Sequence, residues 1–346
     1  MPSRRSFLAG AAATVAAPLW ADMGDPRLLS AAKKPDGSFA LFGISQTGTL
    51  LFEQPLPSRG HAAAAHPTRA VAVAFARRPG TFALVLDCSS GTLLNTMKSP
   101  KGRHFYGHGV FSADGKTLFT TEQDFENAIG LVGIWDANFK RIGEIRSGGT
   151  GPHEIKRLPG ADTLVVANGG IETHPETGRT KLNIPTMKPN LAYLSPDGEL
   201  IDQYLPPSEA RLNSIRHIDV ASDGTVAFGN QWQATANVQP LIGLHRLGEG
   251  ARYPAAGNYE GRARGYIGSV AISPDGSEVT ATAPRGGRVF AVNLQTEELQ
   301  EITEIDASGV AYIGSNRIFT SGQGSVFSGE STMTHPVAWD NHLVAI

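Results

Sequence analysis

Five histidines occupy the same position in a short segment that recurs along the chain. Each one begins a stretch of small or apolar residues with β-strand character, as in His108-Gly-Val-Phe-Ser. Two further copies, which start at Ser269 and Gly309, lack the histidine. Neutral imidazole is a favoured ligand of iron, copper, zinc and nickel, and it binds them without cysteine. We therefore predict a site for one or two transition-metal ions, with ligands drawn from His61, His108, His153, His217 and His342.

Other roles for these histidines stay open. In WD-type propellers a Gly-His pair hydrogen-bonds within its own blade, and Gly107-His108 followed by Trp135-Asp136 imitates that pattern. The metal site is favoured because His108 stands only four residues before Ser112, whereas the WD histidine lies well upstream of its strand. Anion binding and acid–base catalysis are the remaining alternatives.

Acidic residues near the repeat are candidates to complete the metal site. Glu122 is predicted as a further ligand. Asp124 and Glu154 either join a mixed shell of imidazole and carboxylate or hydrogen-bond the ligand histidines from outside. The alternative for all three residues is that they are solvated loop acids.

Several arginines are predicted on the same face as the histidines. Guanidinium groups bind carboxylate and phosphate through paired hydrogen bonds, so the metal is predicted to arrive as a small anionic chelate such as citrate. Ordinary salt bridges within loops are the alternative. The arginines predicted to bind this ligand are Arg78, Arg103, Arg216 and Arg285.

A segment of about 20 residues, 171–190, is inserted into the repeat, and a loop of that length in a compact domain is typical of a lid or a binding segment. A disordered surface loop is the alternative. The residues of this segment that could contact a ligand are His174, Arg179, Lys181 and Met187.

The spacing of the repeat predicts the architecture that positions these residues. Successive copies lie 47, 45, 64, 52, 40 and 33 residues apart. Periods of about 40–50 residues with several short strands are typical of β-propeller blades. Residues 27–54 supply three strands without an inner one, and residues 341–346 supply an inner strand alone. Joining the two ends completes an all-β, seven-bladed propeller, in which the other six blades are predicted to have four strands each.

The inner strands of a propeller surround its central channel. Each histidine stands at the start of an inner strand. The histidines are therefore predicted at the mouth of the channel, on the face that carries the Gly-rich and polar loops. The copies at Ser269 and Gly309 are neighbours, so the ring of imidazoles is predicted to be open on one side. That gap is where we expect the ligand.

The N-terminus predicts export from the cytoplasm. Arg4 and Arg5 precede a short apolar run, which is typical of a twin-arginine signal peptide over residues 1–21. We therefore predict a periplasmic protein, with residues 22–346 as one propeller domain and no membrane span after signal removal. Cys88 is the only cysteine, which excludes an internal disulfide and a metal site made of several thiolates. The net charge of -2 argues against nucleic acid as a partner.

Several runs of the sequence resemble a known family. They are Phe-Ala-Arg-Arg-Pro-Gly-Thr at 75–81, Gly-His-Gly-Val-Phe-Ser at 107–112, Gly-Pro-His-Glu at 151–154, Val-Ala-Asn-Gly-Gly-Ile at 166–171 and Trp-Asp-Asn-His at 339–342. Over the whole mature chain the sequence resembles the domain of unknown function 1513 family. The resemblance implies an exported bacterial propeller, often encoded beside imelysin-like proteins of periplasmic iron handling. It therefore implies iron or copper as the preferred metal, with zinc possible, and an imelysin-like protein as a partner.

Three functions follow from these observations. The preferred one is binding of a metal ion or a metal chelate. The second is a metal-dependent enzyme, a redox enzyme, lyase or hydrolase, that uses the same histidines. The third is a scaffold whose loop face docks an imelysin-like protein. The sequence contains no Gly-x-Ser-x-Gly elbow, P-loop or dinucleotide fingerprint, which argues against those classes of enzyme.

Overall fold

The computed structural model describes residues 26–346, which form seven antiparallel β-sheets arranged as the blades of one propeller. The prediction of an all-β, seven-bladed propeller is confirmed. The predicted signal peptide lies outside the described residues. Within residues 26–346 no helix is long and apolar enough to cross a membrane. Helical structure in this range is limited to 3₁₀ turns at Pro175–Thr177, Ile184–Thr186 and Ser208–Ala210.

The strands are numbered along the chain and fall into a closing blade and blades 1 to 6. The closing blade contains β1 Leu28–Lys33, β2 Phe39–Ile44, β3 Leu50–Leu56, β27 Ala338–Trp339 and β28 Val344–Ala345. Blade 1 contains β4 Gly60–Ala65, β5 Val71–Ala76, β6 Phe82–Asp87 and β7 Thr92–Lys98. Blade 2 contains β8 Arg103–Phe111, β9 Leu118–Asp124, β10 Ile129–Trp135 and β11 Arg141–Arg146.

The remaining blades follow the same order from the inner strand outwards. Blade 3 contains β12 Pro152–Arg157, β13 Leu164–Asn168, β14 Asn190–Leu194 and β15 Leu200–Tyr204. Blade 4 contains β16 Asn213–Val220, β17 Val226–Trp232 and β18 Ile242–His245. Blade 5 contains β19 Ser269–Ile272, β20 Glu278–Ala283, β21 Arg288–Asn293 and β22 Leu299–Thr303. Blade 6 contains β23 Ala307–Ile313, β24 Asn316–Ser321, β25 Ser325–Ser328 and β26 Ser331–Thr334.

Burial follows the position of each strand within its blade. The second strand β13, Leu-Val-Val-Ala-Asn, is buried at every residue because blades pack against both of its faces. The outer strand β11 alternates between half-buried and exposed residues because one of its faces meets solvent. The apolar cores between blades therefore fix the inner strands around the channel.

The two ends of the described chain close the ring, as the sequence predicts. β1 pairs antiparallel with β27 and with β28, with Ala32 opposite Trp339 and Leu28 opposite Ala345. Trp339 and Leu343 pack with residues of β1 and of blade 6 in one apolar core. The closure therefore depends on the last residues of the chain.

Blade 4 departs from the predicted four strands. Its sheet ends at β18, and only an isolated bridge between Leu244 and Arg252 stands where a fourth strand would pair. The following segment forms turns, and its buried Tyr259 accepts hydrogen bonds from the backbone N–H groups of Leu241 and Ile242, at 3.2 and 2.7 Å. Residues 246–265 contain Pro254 and five glycines and no alternating apolar pattern, which disfavours an outer strand.

The inserted segment, residues 171–190, is a compact loop between β13 and β14. Asn183 holds its ends together, because its Nδ2 donates to the carbonyl of Gly170 at 2.9 Å and its Oδ1 accepts from the Glu172 N–H at 2.8 Å. Two residues of the loop itself, Ile171 and Met187, are buried. The loop therefore has a defined shape on the face of the propeller where it emerges.

Candidate metal centre

β-Bulges in the inner strands direct the histidines into the channel. A bulge inserts an extra residue and changes the face towards which the following side chains point. His342 lies in a comparable break, between β27 and β28. In the other four blades, the register shifts lie between Gly60 and Ala63, Phe105 and Gly109, Pro152 and Glu154, and Ile215 and His217.

The five predicted histidines form one buried cluster. The ring centroids of His61 and His342 are 4.2 Å apart, and those of His108 and His342 are 4.5 Å apart. His153 links the cluster to His217, with centroids separated by 4.8 Å. The sequence thus predicted which histidines converge. Their place differs from the prediction, because they lie inside the channel, within or between the inner strands, and not at its mouth.

The arrangement of nitrogen atoms fits a metal ion. One possible donor atom from each of His61, His108 and His153 lies within 4.8 Å of the other two, and the same holds for His108, Glu154 and His342. Metal–nitrogen distances of about 2.0–2.1 Å in a tetrahedral site place nitrogens roughly 3.3 Å apart, so the rings must close in by no more than about 1.5 Å. The two groups share His108, so the cluster has donors for one ion or for an adjacent pair.

Unsatisfied nitrogens in the cluster also indicate a missing partner. Within residues 26–346 four imidazole nitrogens are buried without a hydrogen bond: His61 Nδ1, His108 Nε2, His153 Nδ1 and His217 Nδ1. A buried polar atom left unpaired costs about 1–3 kcal/mol, and each such atom in a native protein needs an explanation. His61 Nδ1 and His217 Nδ1 face the carboxylates of Asp340 and Glu154 at 3.7 Å, whereas a metal ion could use the lone pairs of His108 Nε2 and His153 Nδ1.

Burial keeps the imidazoles in the neutral form that binds metals. It lowers the pKa of His61 to about 4. Burial also lowers the pKa values of His108, His153 and His342 well below the ordinary value, and nearby histidines add to this effect. The cluster therefore presents uncharged nitrogens at neutral pH.

Two carboxylates contact the histidines from outside the cluster. The Glu154 oxygens lie 3.6 Å from His108 Nδ1 and 3.7 Å from His217 Nδ1. Asp340 Oδ1 lies 3.7 Å from His61 Nδ1. Burial opposes the charge on Glu154, but His108, His217 and Lys156 outweigh it and lower the pKa of this carboxyl to about 2. Carboxylates so placed orient ligand imidazoles and raise their basicity.

The histidine cluster lies between two cavities in the channel. On one side is a cavity of about 500 Å³, here called the vestibule, whose cationic lining residues are Arg77, Arg78, Arg179, Lys181, Arg216 and Arg285. A narrow cleft lined by His61, His153 and His217 together with Arg216 connects the vestibule to the cluster. On the other side is a cavity of about 340 Å³, lined by His108, His342, Glu154, Lys156 and Asp219 among others.

The predicted ligand-binding arginines divide into two groups. Arg78, Arg216 and Arg285 line the vestibule. The structure does not bring Arg103 there, because it begins β8 and pairs with Asp124 at 2.7 Å and with Glu144 at 3.3 Å.

Glu122 does not reach the histidines either. It lies on the second strand of blade 2, where its Oε1 accepts hydrogen bonds from Arg141 and Thr120, both at 2.7 Å. Asp124, paired with Arg103, is likewise engaged within blade 2. Glu154 is the one of the three predicted acids that contacts the imidazoles.

Some residues of the centre were not predicted from the sequence. Asp340 was not proposed as a partner of the histidines, although it stands two residues before His342. Arg77 is not among the arginines predicted to bind the ligand, and in the structure its NH1 lies 3.3 Å from Asp340. In blade 4 the residue inserted by the bulge is Arg216, which brings it to the cleft beside His217. No local signal in the sequence shows where a bulge falls.

The side of the ring without histidines, which belongs to blades 5 and 6, carries other residues. In the vestibule Arg285 lies over the ring of Tyr266, with its guanidinium carbon 4.2 Å from the centroid. In the cavity of about 340 Å³ on the other side of the cluster, blades 5 and 6 contribute Ser269, Val270 and Val310. The gap in the ring of imidazoles is thus bordered by a cation on the vestibule side and by small or apolar residues on the opposite side.

Comparisons with known proteins agree with the fold. No curated protein matches the chain. Among solved structures, hydrazine synthase of Kuenenia stuttgartiensis is similar, with a TM-score of 0.63, 13% sequence identity, and coverage of 94% of this chain and 98% of that chain. At that identity the likeness shows the fold alone. The profile of a family described as protein of unknown function, DUF1513, matches residues 54–346, and the chain therefore belongs to that family.

Proposed function

We propose that this is a periplasmic protein that binds a transition-metal ion, preferably iron or copper, through the histidine cluster. The observation that carries the proposal is the convergence of five buried imidazoles, among which His108 Nε2 and His153 Nδ1 have no partner within the described residues. The neutral state of the rings and the carboxylates behind them support it. The proposed periplasmic location rests on the predicted signal peptide. The preference for iron or copper and the proposed imelysin-like partner rest on the family resemblance.

A metal-dependent enzyme is the second candidate. It is favoured by the cleft that joins the vestibule to His61, His153 and His217, because a substrate could approach the metal through it. Catalytic metal sites keep a coordination position open for water or substrate, whereas structural sites are closed by protein ligands. Azide or cyanide should perturb the optical spectrum of the bound metal if such a position exists.

Elemental analysis of protein exported by its own signal peptide tests the proposal. Wild type should contain bound metal, and the His108→Ala/His153→Ala variant should contain less than a tenth of it. His335→Ala is a suitable control, because the imidazole of this half-buried histidine hydrogen-bonds the Gly48 carbonyl, outside the cluster. The proposal fails if wild type and the double variant are both metal-free and bind added copper or iron equally poorly.

A further inference from the structure

The vestibule gathers six cationic side chains from four parts of the chain. Arg77 and Arg78 follow β5, Arg216 lies on β16, and Arg285 follows β20. The inserted loop adds Arg179 and Lys181. Such a concentration of like charge around one cavity of about 500 Å³ is unfavourable unless something negative offsets it.

Carboxylates of the protein offset little of this charge. Asp340 lies beside Arg77 but also accepts from Arg59 Nε at 2.6 Å, outside the vestibule lining. Asp306, which also lines the cavity, is exposed. Across residues 26–346 no ion pair forms on the other lining arginines, which are Arg78, Arg179, Arg216 and Arg285.

Arg216 is the clearest case of an unpaired charge. Its side chain is only 3% exposed, and within the described chain its one hydrogen bond runs from Nε to Ser214 Oγ at 2.8 Å. Burial and the neighbouring Arg78 lower the pKa of this guanidinium. The terminal amino groups of Arg216 have no hydrogen-bond acceptor among the described residues, and an anion in the vestibule that Arg216 lines would supply one.

Aromatic rings hold two of the other guanidinium groups in place. Arg78 NH1 donates to the Tyr106 hydroxyl at 3.0 Å, and its guanidinium carbon lies 4.9 Å from the centre of that ring. Arg285 stacks on the ring of Tyr266, with its guanidinium carbon 4.2 Å from the ring centre. Stacked guanidinium groups are pre-oriented, so less rotational freedom is lost when they bind a ligand.

We propose that the vestibule binds a small oxyanion with at least two negative charges, a di- or tricarboxylate or a phosphate, directly over the histidine cluster. Guanidinium groups bind both chemistries through paired hydrogen bonds. The volume is that of a small-molecule site and is too small for a macromolecule. Where the proposed metal site also holds, one oxygen of the anion can reach the metal through the cleft that Arg216 shares with His153 and His217.

The inserted loop closes this site from above. Arg179 and Lys181 are exposed at its rim, and Lys181 hydrogen-bonds Gln233 of the loop after β17. The ring of His174 in the same loop lies edge-on to Phe125 of blade 2, with centroids 5.2 Å apart. The loop is thus attached to blades 2 and 4 and brings its two cations over the cavity.

Calorimetric titration of protein freed of metal by a chelator tests the inference independently of the metal. Citrate and inorganic phosphate are titrated separately in about 0.15 M NaCl, and the anion that binds identifies the carboxylate or the phosphate class. Wild type should bind at least one of them. Affinity should fall at least tenfold in Arg216→Gln and in the double variant of two exposed arginines, Arg179→Gln/Arg285→Gln. The double variant tests the inference even if Arg216→Gln fails to fold.

Arg246→Gln provides the matched control, because this arginine pairs with Asp223 away from the vestibule and should leave the affinity unchanged. The inference is overturned if neither anion binds wild type, or if the vestibule variants bind as wild type does. Metal content is measured on the same preparations before the chelator treatment. Loss of anion binding with normal metal content in Arg179→Gln/Arg285→Gln supports a separate anion site, and normal metal without any anion binding in wild type overturns this inference alone.

Discussion

Nε2 of His61 lies 3.2 Å from Nε2 of His342, although the two residues are 281 positions apart in the chain. The first belongs to blade 1 and the second to the break between β27 and β28 that closes the ring. The contact therefore joins the histidine cluster to the closure of the propeller. A change at the closure should therefore also alter the histidine cluster. Variants that affect only one of these two features can separate their contributions.

Shortening the chain after Trp339 should damage the fold and the centre together. The deletion removes Asp340, His342 and Leu343, and the loss of the buried leucine alone should cost about 2–5 kcal/mol. Cys88 reports on closure, because it is fully buried in the core where Val344 packs, and burial raises its thiol pKa to about 12. A raised pKa leaves almost no thiolate at pH 8, so native protein should not react with a disulfide reagent and the shortened chain should.

His342→Ala is the matched control for that deletion. It keeps β28 and Leu343 and removes one ligand, so metal content should fall while Cys88 stays protected. Rapid reaction of Cys88 in native wild type, or its protection in the shortened chain, would contradict the account of the closure.

Glu154→Gln should weaken metal binding without unfolding the protein. The carboxylate lies against Nδ1 of both His108 and His217, and loss of such a contact typically lowers metal affinity 10- to 100-fold. Competition with a chromophoric chelator measures the change. An unaltered affinity would remove Glu154 from the centre.

Glu122→Gln is the comparison for Glu154→Gln. It breaks the ion pair with Arg141 on a side chain with no exposed surface, and because Arg141 keeps Glu144 as a partner the free energy of unfolding should fall by about 1–3 kcal/mol. Its metal affinity should stay within about twofold of wild type, because the carboxylate does not contact the imidazoles. Chemical denaturation and the same competition assay separate the two glutamates.

Gly107→Ala should displace the ring of His61 and so disturb the histidine cluster. Gly107 has φ +105°, and a Cβ there would overlap the ring of His61. Gly102 also has positive φ, +78°, but a Cβ there would meet nothing within 4 Å. Both alanine variants should lose roughly 1–2 kcal/mol to backbone strain, whereas only Gly107→Ala should lose metal affinity, by tenfold or more. Equal affinities in the two variants would show that the His61 ring position is not needed.

The sequence predicts most of the fold because its signals are local and repeated. The copies that begin at His61 and His108 mark inner strands, and joining the incomplete ends predicts seven blades in preference to six or eight. The glycines and Pro254 of residues 246–265 disfavour a fourth strand in blade 4, but the sequence does not show that Tyr259 of this turn segment fills the core instead. Propensity alone cannot show such an exchange of tertiary contacts.

The convergence of the histidines was predictable for the same reason, since inner strands meet at the channel. The choice between Glu122 and Glu154 was not. Plain alternation on β12 would place Glu154 and His153 on opposite faces, but the bulge between Pro152 and Glu154 removes that alternation. A bulge depends on pairing with a distant strand, so the immediate neighbours in the sequence do not specify it.

X-ray absorption at the metal edge of copper- or iron-loaded protein tests the central claim most directly. The account predicts nitrogen scatterers at about 2.0–2.1 Å with the outer-shell pattern of several imidazoles. That pattern should vanish in His108→Ala/His153→Ala and persist in His335→Ala. A shell of oxygen atoms alone, or a spectrum that is the same in wild type and the double variant, would contradict it.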